Sequence, residues 1–512
     1  MLKRTLIAAA LLAPAMAAAA PVQVEERSID QLAGARSVDL VVSYKARIAR
    51  IDRAGPAINS MIAINPNAVA DAVRVDANGK RGPLHGRPIL IKDNIESLDS
   101  MPTTAGSLAL ATNVTGRDAP LVARLRAAGA IILGKTNLSE WANIRSTRST
   151  SGWSAVGGLT RNPYALDRNT CGSSSGTGAA IAASLAVAGI GTETDGSITC
   201  PASINGLVGL KPTVGLVSRT HIVPISHSQD TAGPMARSVR DAALLLTVIA
   251  GGDPADSATA TADQHKTDYA ARLRPDALKG ARLGVLRFAV GGDPKVTALF
   301  EAALADLKRQ GAEIVEIDKL DGRDAIGTAE QTVLSVELKA DLNAYLATTP
   351  PAVTTRTLAD VIAFDKAHPA EMRWFGQELF DAAELTKGLD DADYKKARAA
   401  SLKGAGADGI DKLLKANRVT ILIAPTQGPS WTTDGVNGDH VVDIGAGTLA
   451  AVAGYPHLTV PMGLVEGLPV GLSFIGPAWS EADLLAAGYA YEQATHRRRP
   501  PTYARTVALP AR

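Results

Sequence analysis

Residues 171–203 read C-G-S-S-S-G-T-G-A-A-I-A-A-S-L-A-V-A-G-I-G-T-E-T-D-G-S-I-T-C-P-A-S. Two small polar loops, 172–178 and 191–197, are joined by an Ala-rich apolar run. Glycine lets backbone come close to a ligand and takes positive φ at little cost, so two such loops around one buried element are expected to face a single cleft. The serines offer hydroxyls for nucleophilic chemistry, and the glycines leave backbone N–H groups free to hold a developing oxyanion. The 172–176 loop also fits G-x-S-x-G with Ser174 at its centre, but a nucleophile elbow needs a strong apolar strand just before it. Residues 162–170 are polar and turn-forming instead. The loop lacks the G-K-[ST] ending of a phosphate loop.

The remaining pattern places that stretch in an α/β chain. Residues 25–80 read as helical. Residues 88–91 form a short apolar strand that delivers Lys92 at its end, 119–128 an amphipathic helix stopped by Gly129, and 130–134 the next strand. Strand, helix and strand on short connections argue for a βαβ unit. Helices are expected at 177–185 and 197–205, with Ser197 as a possible N-cap, and a strand at 187–191. Residues 282–288, 294–310 and 313–317 repeat the strand–helix–strand unit, with Pro294 at its N1 and Gly311 at C′. Residues 323–417 look mainly helical, 419–425 is a buried strand, and Ser480 opens the last helix as a capping box. Length alone suggests roughly three domains, yet no repeat or low-complexity linker divides the chain. The expectation is a single large α/β domain over 25–505: a mixed, largely parallel twisted sheet covered by helices on both faces, with a variable helical region at 323–417.

Lys3 and Arg4, an apolar run at 6–12 and an A-x-A signal at 15–17 read as a secretory leader. Cleavage is expected after Ala17 and could extend to about residue 20, giving a periplasmic or secreted protein. Lysine and arginine number 53 against 51 acidic residues, so nothing invites nucleic acid or an anionic membrane. The chain holds two cysteines, Cys171 and Cys200. Export permits a disulfide, but sequence gives no Cα separation, and two buried small hydrophobes is the favoured reading. The 8 histidines include no H-E-x-x-H, and His221 and His227 fit no common zinc spacing. They read as polar loop residues, the arginines at 497–499 as a solvated cluster, and Trp431 as either acyl-pocket lining or core. No metal or cofactor is expected.

Five ordered motifs carry a resemblance: P-I-L-I-K-D-N at 88–94, the 171–203 stretch, G-L-V-G-L-K-P-T at 206–213, D-T-A-G-P-M-A-R-S-V-R-D at 230–241, and A-G-Y-P-H-L-T-V-P-M at 453–462 with G-L-P-V-G-L at 467–472. The chain resembles the amidase-signature family over most of residues 30–500, more weakly between about 320 and 415. Among relatives it is most similar to the bacterial peptide amidases, which remove the C-terminal amide from peptides. The family's Gly-Gly-Ser is here Asp195-Gly196-Ser197, its Ser-Ile-Arg is Ser197-Ile198-Thr199, and Ser175 replaces a glycine. These departures change charge beside the nucleophile without removing a catalytic group.

The resemblance implies Ser197 as nucleophile, Ser173 as a relay held by a cis peptide bond, and Lys92 as base. A lysine at the end of an apolar strand loses hydration, which lowers its pKa and makes a neutral amine available. Backbone N–H groups of Thr194, Asp195, Gly196 and Ser197 would hold the oxyanion, with Asp195 and Ser174 as candidates for orienting or contacting substrate. The implied reaction is hydrolysis of a carboxamide to carboxylate and ammonia through an acyl-serine, on the C-terminal amide of peptides. A generalist aliphatic or aryl amidase is the alternative. A non-catalytic periplasmic amide- or peptide-binding protein and a component of a tRNA-dependent amidotransferase come from other classes. The expected partner is a small-molecule or peptide amide, with no obligate protein partner.

Overall fold

Pro88–Lys92, Pro120–Ala127 and Ile131–Thr136 form the strand–helix–strand unit expected at that place, and the two strands pair in parallel. Pro120 occupies the first turn, where its missing N–H costs nothing, and Gly129 follows the helix at φ +89°. The second unit, Arg282–Leu286, Pro294–Arg309 and Glu313–Ile317, repeats this logic. There Asp293 caps the backbone N–H groups of Lys295 and Val296, and Gly311 sits at φ +89°. The computed structural model describes residues 22–79 and 82–508. The leader expected at residues 1–17 lies outside the described residues.

The main sheet contains β1 (Met61–Ile64), β2 (Pro88–Lys92), β3 (Ile131–Thr136), β4 (Ala188–Glu193), β5 (Val208–Lys211), β6 (Thr231–Ala236), β7 (Arg282–Leu286), β8 (Glu313–Ile317), β9 (Ile421–Pro425), β10 (His457–Val465) and β11 (Leu468–Ile475). Their spatial order is β1-β3-β2-β4-β6-β5-β10-β11-β9-β7-β8. The sheet is mixed. Parallel pairing holds in the two flanks, β3-β2-β4 and β9-β7-β8. Antiparallel pairing runs between them, from β4 through β6, β5, β10 and β11 to β9.

Helices cover both faces, as the alternation along β10 shows. A Cβ on Gly488 of the Glu481–Thr495 helix would lie 2.6 Å from Leu458 and 3.1 Å from Val460. A Cβ on Gly471 of β11 would instead meet Thr459 and Ser203, the latter in the Thr199–Ile204 helix. Neighbouring residues of a strand point to opposite faces, so the two helices pack on opposite sides of β10. Among the described residues no helix is long and apolar enough to cross a membrane.

Three local expectations are corrected. Residues 25–80 are not helical throughout: β1 lies between the Ser37–Ile51 and Ala68–Ala77 helices and pairs with β3. Asp52 accepts from the backbone N–H and hydroxyl of Ser60 and turns the chain into that strand. The Ser480 hydroxyl donates to the Pro477 carbonyl, so no capping box forms before Glu481–Thr495. Arg498 is largely buried and pairs with Glu26, and Arg497, part-exposed, pairs with Asp306, so of the three arginines Arg499 alone is exposed without a carboxylate partner among the described residues.

The 323–417 region is helical as expected, comprising Arg323–Leu346, Leu358–Ala367, Glu378–Glu384, Ala392–Ala405 and Asp411–Asn417 with short connections. Polar contacts fasten it to the loop before β6. Ser226 and Ser228 donate to Glu337, and His227 pairs with Asp341 at 2.9 Å. Leu338, Leu342 and Phe380 pack with Leu110 and Trp141 in one apolar cluster.

Candidate active site

Lys92 ends β2 and is fully buried. Its Nζ lies 2.7 Å from Ser173 Oγ, 2.8 Å from Thr192 Oγ1 and 3.3 Å from the Thr192 carbonyl. Asn94 donates to the same Thr192 hydroxyl at 3.0 Å. Burial pushes the amine down to about 7, against the opposing pull of Asp230 and Glu193. The neighbouring carboxylate is not its partner: Asp93 lies 3.9 Å from Lys135 and accepts from Thr104.

Ser173 follows a cis peptide bond from Gly172, and its carbonyl accepts from Ser139 N–H at 3.0 Å. Ser174 ties the two loops together. Its N–H donates to the Ser197 carbonyl at 3.1 Å, while its buried hydroxyl donates to the Thr192 carbonyl and accepts from Thr192 N–H. That hydroxyl is committed to β4 and does not have the exposure of a nucleophile elbow. Cys171 and Cys200 form a disulfide with Cα atoms 6.0 Å apart, which corrects the favoured reading of two unlinked hydrophobes. Facing cysteines 29 residues apart in sequence are brought within bridging distance because both loops fold onto the end of one strand. Trp431 packs on this pair and Ile204 and donates to Asp439 at 3.2 Å.

Ser197 lies in the turn between β4 and the Thr199–Ile204 helix, two residues before the helix begins. Glu193 accepts from Ile198 N–H at 2.7 Å and Thr199 N–H at 2.9 Å. A side chain from the strand, not Ser197, therefore takes the orphan donors of that helix start. Gly196 turns the chain at φ +77°. Among the described residues no acceptor meets the backbone N–H of Asp195, Gly196 or Ser197, so the turn that carries Ser197 leaves three backbone donors unpaired. Thr194 donates to Asp230 at 2.6 Å, and Asp195 accepts from Thr448 at 2.7 Å. Burial, then Glu193, pushes the Asp195 carboxyl up to about 6.

The structure thus gathers Lys92, Ser173, Ser174, Thr194, Asp195, Gly196 and Ser197 around the end of β4. Sequence reasoning missed Asn94, Thr192, Glu193 and Asp230, which hold these groups. Thr192 and Glu193 lie inside the Gly-rich stretch, and Asn94 and Asp230 within two of the ordered motifs, but spacing gave no sign that they meet. A cavity of about 540 Å³ opens beside Asp195, Gly196, Thr199 and Cys200. Its far walls come from 323–327 and 426–449. A second cavity, about 350 Å³, reaches Thr192, Thr194 and Asp230 from the side of Arg219 and His227.

The profile of the amidase family matches residues 41–485. The native peptide amidase from Stenotrophomonas maltophilia superposes with a TM-score of 0.89 at 50% identity, covering 94% of this chain and 99% of that one. A probable amidase of Arabidopsis thaliana is 39% identical over 91% of this chain and 88% of its own length. A component of the glutamyl-tRNA(Gln) amidotransferase of Roseiflexus castenholzii is 37% identical over 91% of this chain and 94% of its own. With the family profile spanning most of its length and these likenesses running nearly end to end, the chain belongs to the amidase family and is an amidase.

Proposed function

We propose that this amidase hydrolyses the C-terminal carboxamide of peptides through an acyl-enzyme on Ser197. The observation that carries the catalytic assignment is the 2.7 Å contact between buried Lys92 Nζ and Ser173 Oγ. A neutral Lys92 takes the Ser173 proton as Ser173 takes that of Ser197, and Ser197 Oγ attacks the amide carbon. The oxyanion falls against the unpaired N–H groups of Asp195, Gly196 and Ser197. The relayed proton returns to the leaving nitrogen, the C–N bond breaks, and ammonia departs. Water then cleaves the acyl-serine by the same relay.

The peptide substrate is supported by 50% identity to a peptide amidase across nearly the whole of both chains. It is also supported by the cavity beside Asp195 and Gly196, which we assign to the acyl side and which has the volume of a bound residue or two. The secretory-leader pattern expected at residues 1–17 favours action in the periplasm or outside the cell.

Incubating an amidated peptide with the enzyme tests the reading. The expected product carries –OH in place of –NH₂, with internal peptide bonds intact. A fluorophosphonate probe is expected to label Ser197. Cleavage at internal bonds, turnover of simple amides alone, or an adduct on Ser174 would each refute the corresponding part.

A further inference from the structure

Apart from the backbone N–H groups of Asp195 and Gly196, which the proposed mechanism assigns to the oxyanion, the donor side chains lining the cavity beside Asp195 already have acceptors, while one buried acceptor in its wall has no donor. Thr448 donates to Asp195, Thr199 to Glu193, and Gln427 to the Val442 carbonyl. The Arg323 guanidinium lies 3.8 Å from Asp443, donates to the Phe288 carbonyl and stacks on the Phe288 ring. His457, which is buried in the wall, supplies the decisive detail. Its Nε2 lies 2.6 Å from Ser473 Oγ, and Ser473 spends its one proton on Thr426 Oγ1 at 2.9 Å. Nε2 must therefore carry the hydrogen, which leaves Nδ1 as a lone-pair acceptor. That Nδ1 is buried and has no partner, and it lies 3.6 Å from where a Cβ of Gly447, another lining residue, would stand.

The charges agree. Asp195 and Asp324 line the cavity, and the one cation among its lining residues, Arg323, is occupied by Asp443. Glu330, one turn beyond Gly327 on the same helix, is pushed up to about 8 by burial and by Asp195, so near neutral pH the two buried carboxyls share one proton and leave one negative charge in this wall. Lys211 is the buried cation close by. It donates to the carbonyls of Tyr455 and Pro212, with Glu193, Glu481 and Asp195 beside it. It therefore does not supply the missing donor. An unmet buried acceptor is costly, and a donor that reaches it recovers that cost.

We infer that this cavity is a cation subsite, which takes an ammonium or guanidinium on the acyl side of the scissile amide. The inference rests on the amidase reading above, with the carbonyl held at Asp195–Ser197. Two sources share the chemistry: a basic side chain on the residue that bears the amide, or the free N-terminal ammonium of a short peptide amide. Asp324 at the rim and Asp195 and His457 within would receive it, and a carboxylate in the same place would meet their charge.

Initial-rate kinetics on matched substrates tests this. Acetyl-alanyl amides of lysine, glutamine and glutamate form one arm, and alanyl-alanine amide with and without an N-acetyl group the other. Preference for lysine over glutamine by about tenfold in kcat/KM, reduced several-fold by Asp324→Asn and by high salt, supports the basic side-chain source. A similar loss on N-acetylation supports the N-terminal source. Equal rates within about twofold in both arms, or preference for glutamate, overturn the subsite and leave the peptide-amide reading standing. If only simple amides are cleaved, that reading fails on its own. The comparison of 6-aminohexanamide with hexanamide then decides the subsite, and equal rates overturn it.

Discussion

Lys92 illustrates how one position acquires reactivity from what excludes water around it. The side chain sits at the end of an apolar strand with hydroxyl and carbonyl partners and no ion-paired carboxylate in contact. Burial disfavours the ammonium and brings the amine to about 7. The base works neutral, so the sign is direct: kcat/KM is expected to fall below about pH 7 as the amine takes a proton, approaching tenfold per pH unit, and to level off above it. A profile flat from pH 5 to 8 would contradict the assignment. Lys92→Ala is expected to lose several orders of magnitude, and Lys92→Arg not to rescue it because a guanidinium stays charged. Retention of more than about a tenth of kcat, a loss under ~1.4 kcal/mol, would remove Lys92 from the relay. The sequence showed a lysine after an apolar strand, which fits a solvated strand end equally well. Its acceptor Thr192 stands 100 residues away, a distance that no local pattern can report.

Secondary structure with strong local punctuation was legible, and structure decided by partners was not. The two βαβ flanks carried apolar strands, N1 prolines and stop glycines, so their elements fall within a few residues of expectation. The antiparallel middle lacks such signals. β5, β6, β10 and β11 are short or interrupted by Gly and Pro, and their pairing is settled by neighbours far along the chain. From sequence β1 reads as helix, because four apolar residues have no period of their own. The disulfide belongs to this scale as well, because it joins the loop before Ser173 to the helix after Ser197 and is drawn close only by the fold. Closing a loop of 29 residues is worth about 3–4 kcal/mol by chain entropy. Cys200→Ser is therefore expected to lower unfolding stability by up to about that amount in a denaturant titration, and to lower kcat as the two serines lose their common anchor. Unchanged kcat alongside lower stability would show that Ser174 and Glu193 alone keep the loops aligned.

The cavity beside Asp195 depends on the whole chain, because its walls come from four regions: 195–200 on the core, His457 at the start of β10, 323–327 on the first helix of the 323–417 region, and 426–449 after β9. Asp439 pins the last of these. It accepts from the backbone and hydroxyl of Ser151, from Asn169 and from Trp431. Beyond that anchor, Val441 and Val442 line the cavity yet remain 59% and 49% exposed. An acyl chain lying there would cover both valines and draw these regions together. The Ser197→Ala variant holds a peptide amide without turnover if the proposed chemistry is right, so binding can be read alone. At a ligand concentration one hundred times Kd the folded state gains about 2.7 kcal/mol, which should appear as a higher melting temperature. Cleavage by elastase after Val441 and Val442 should slow several-fold under the same conditions, because that segment must open to enter a protease. A higher melting temperature with unchanged cleavage at these two valines would place the acyl chain outside this cavity.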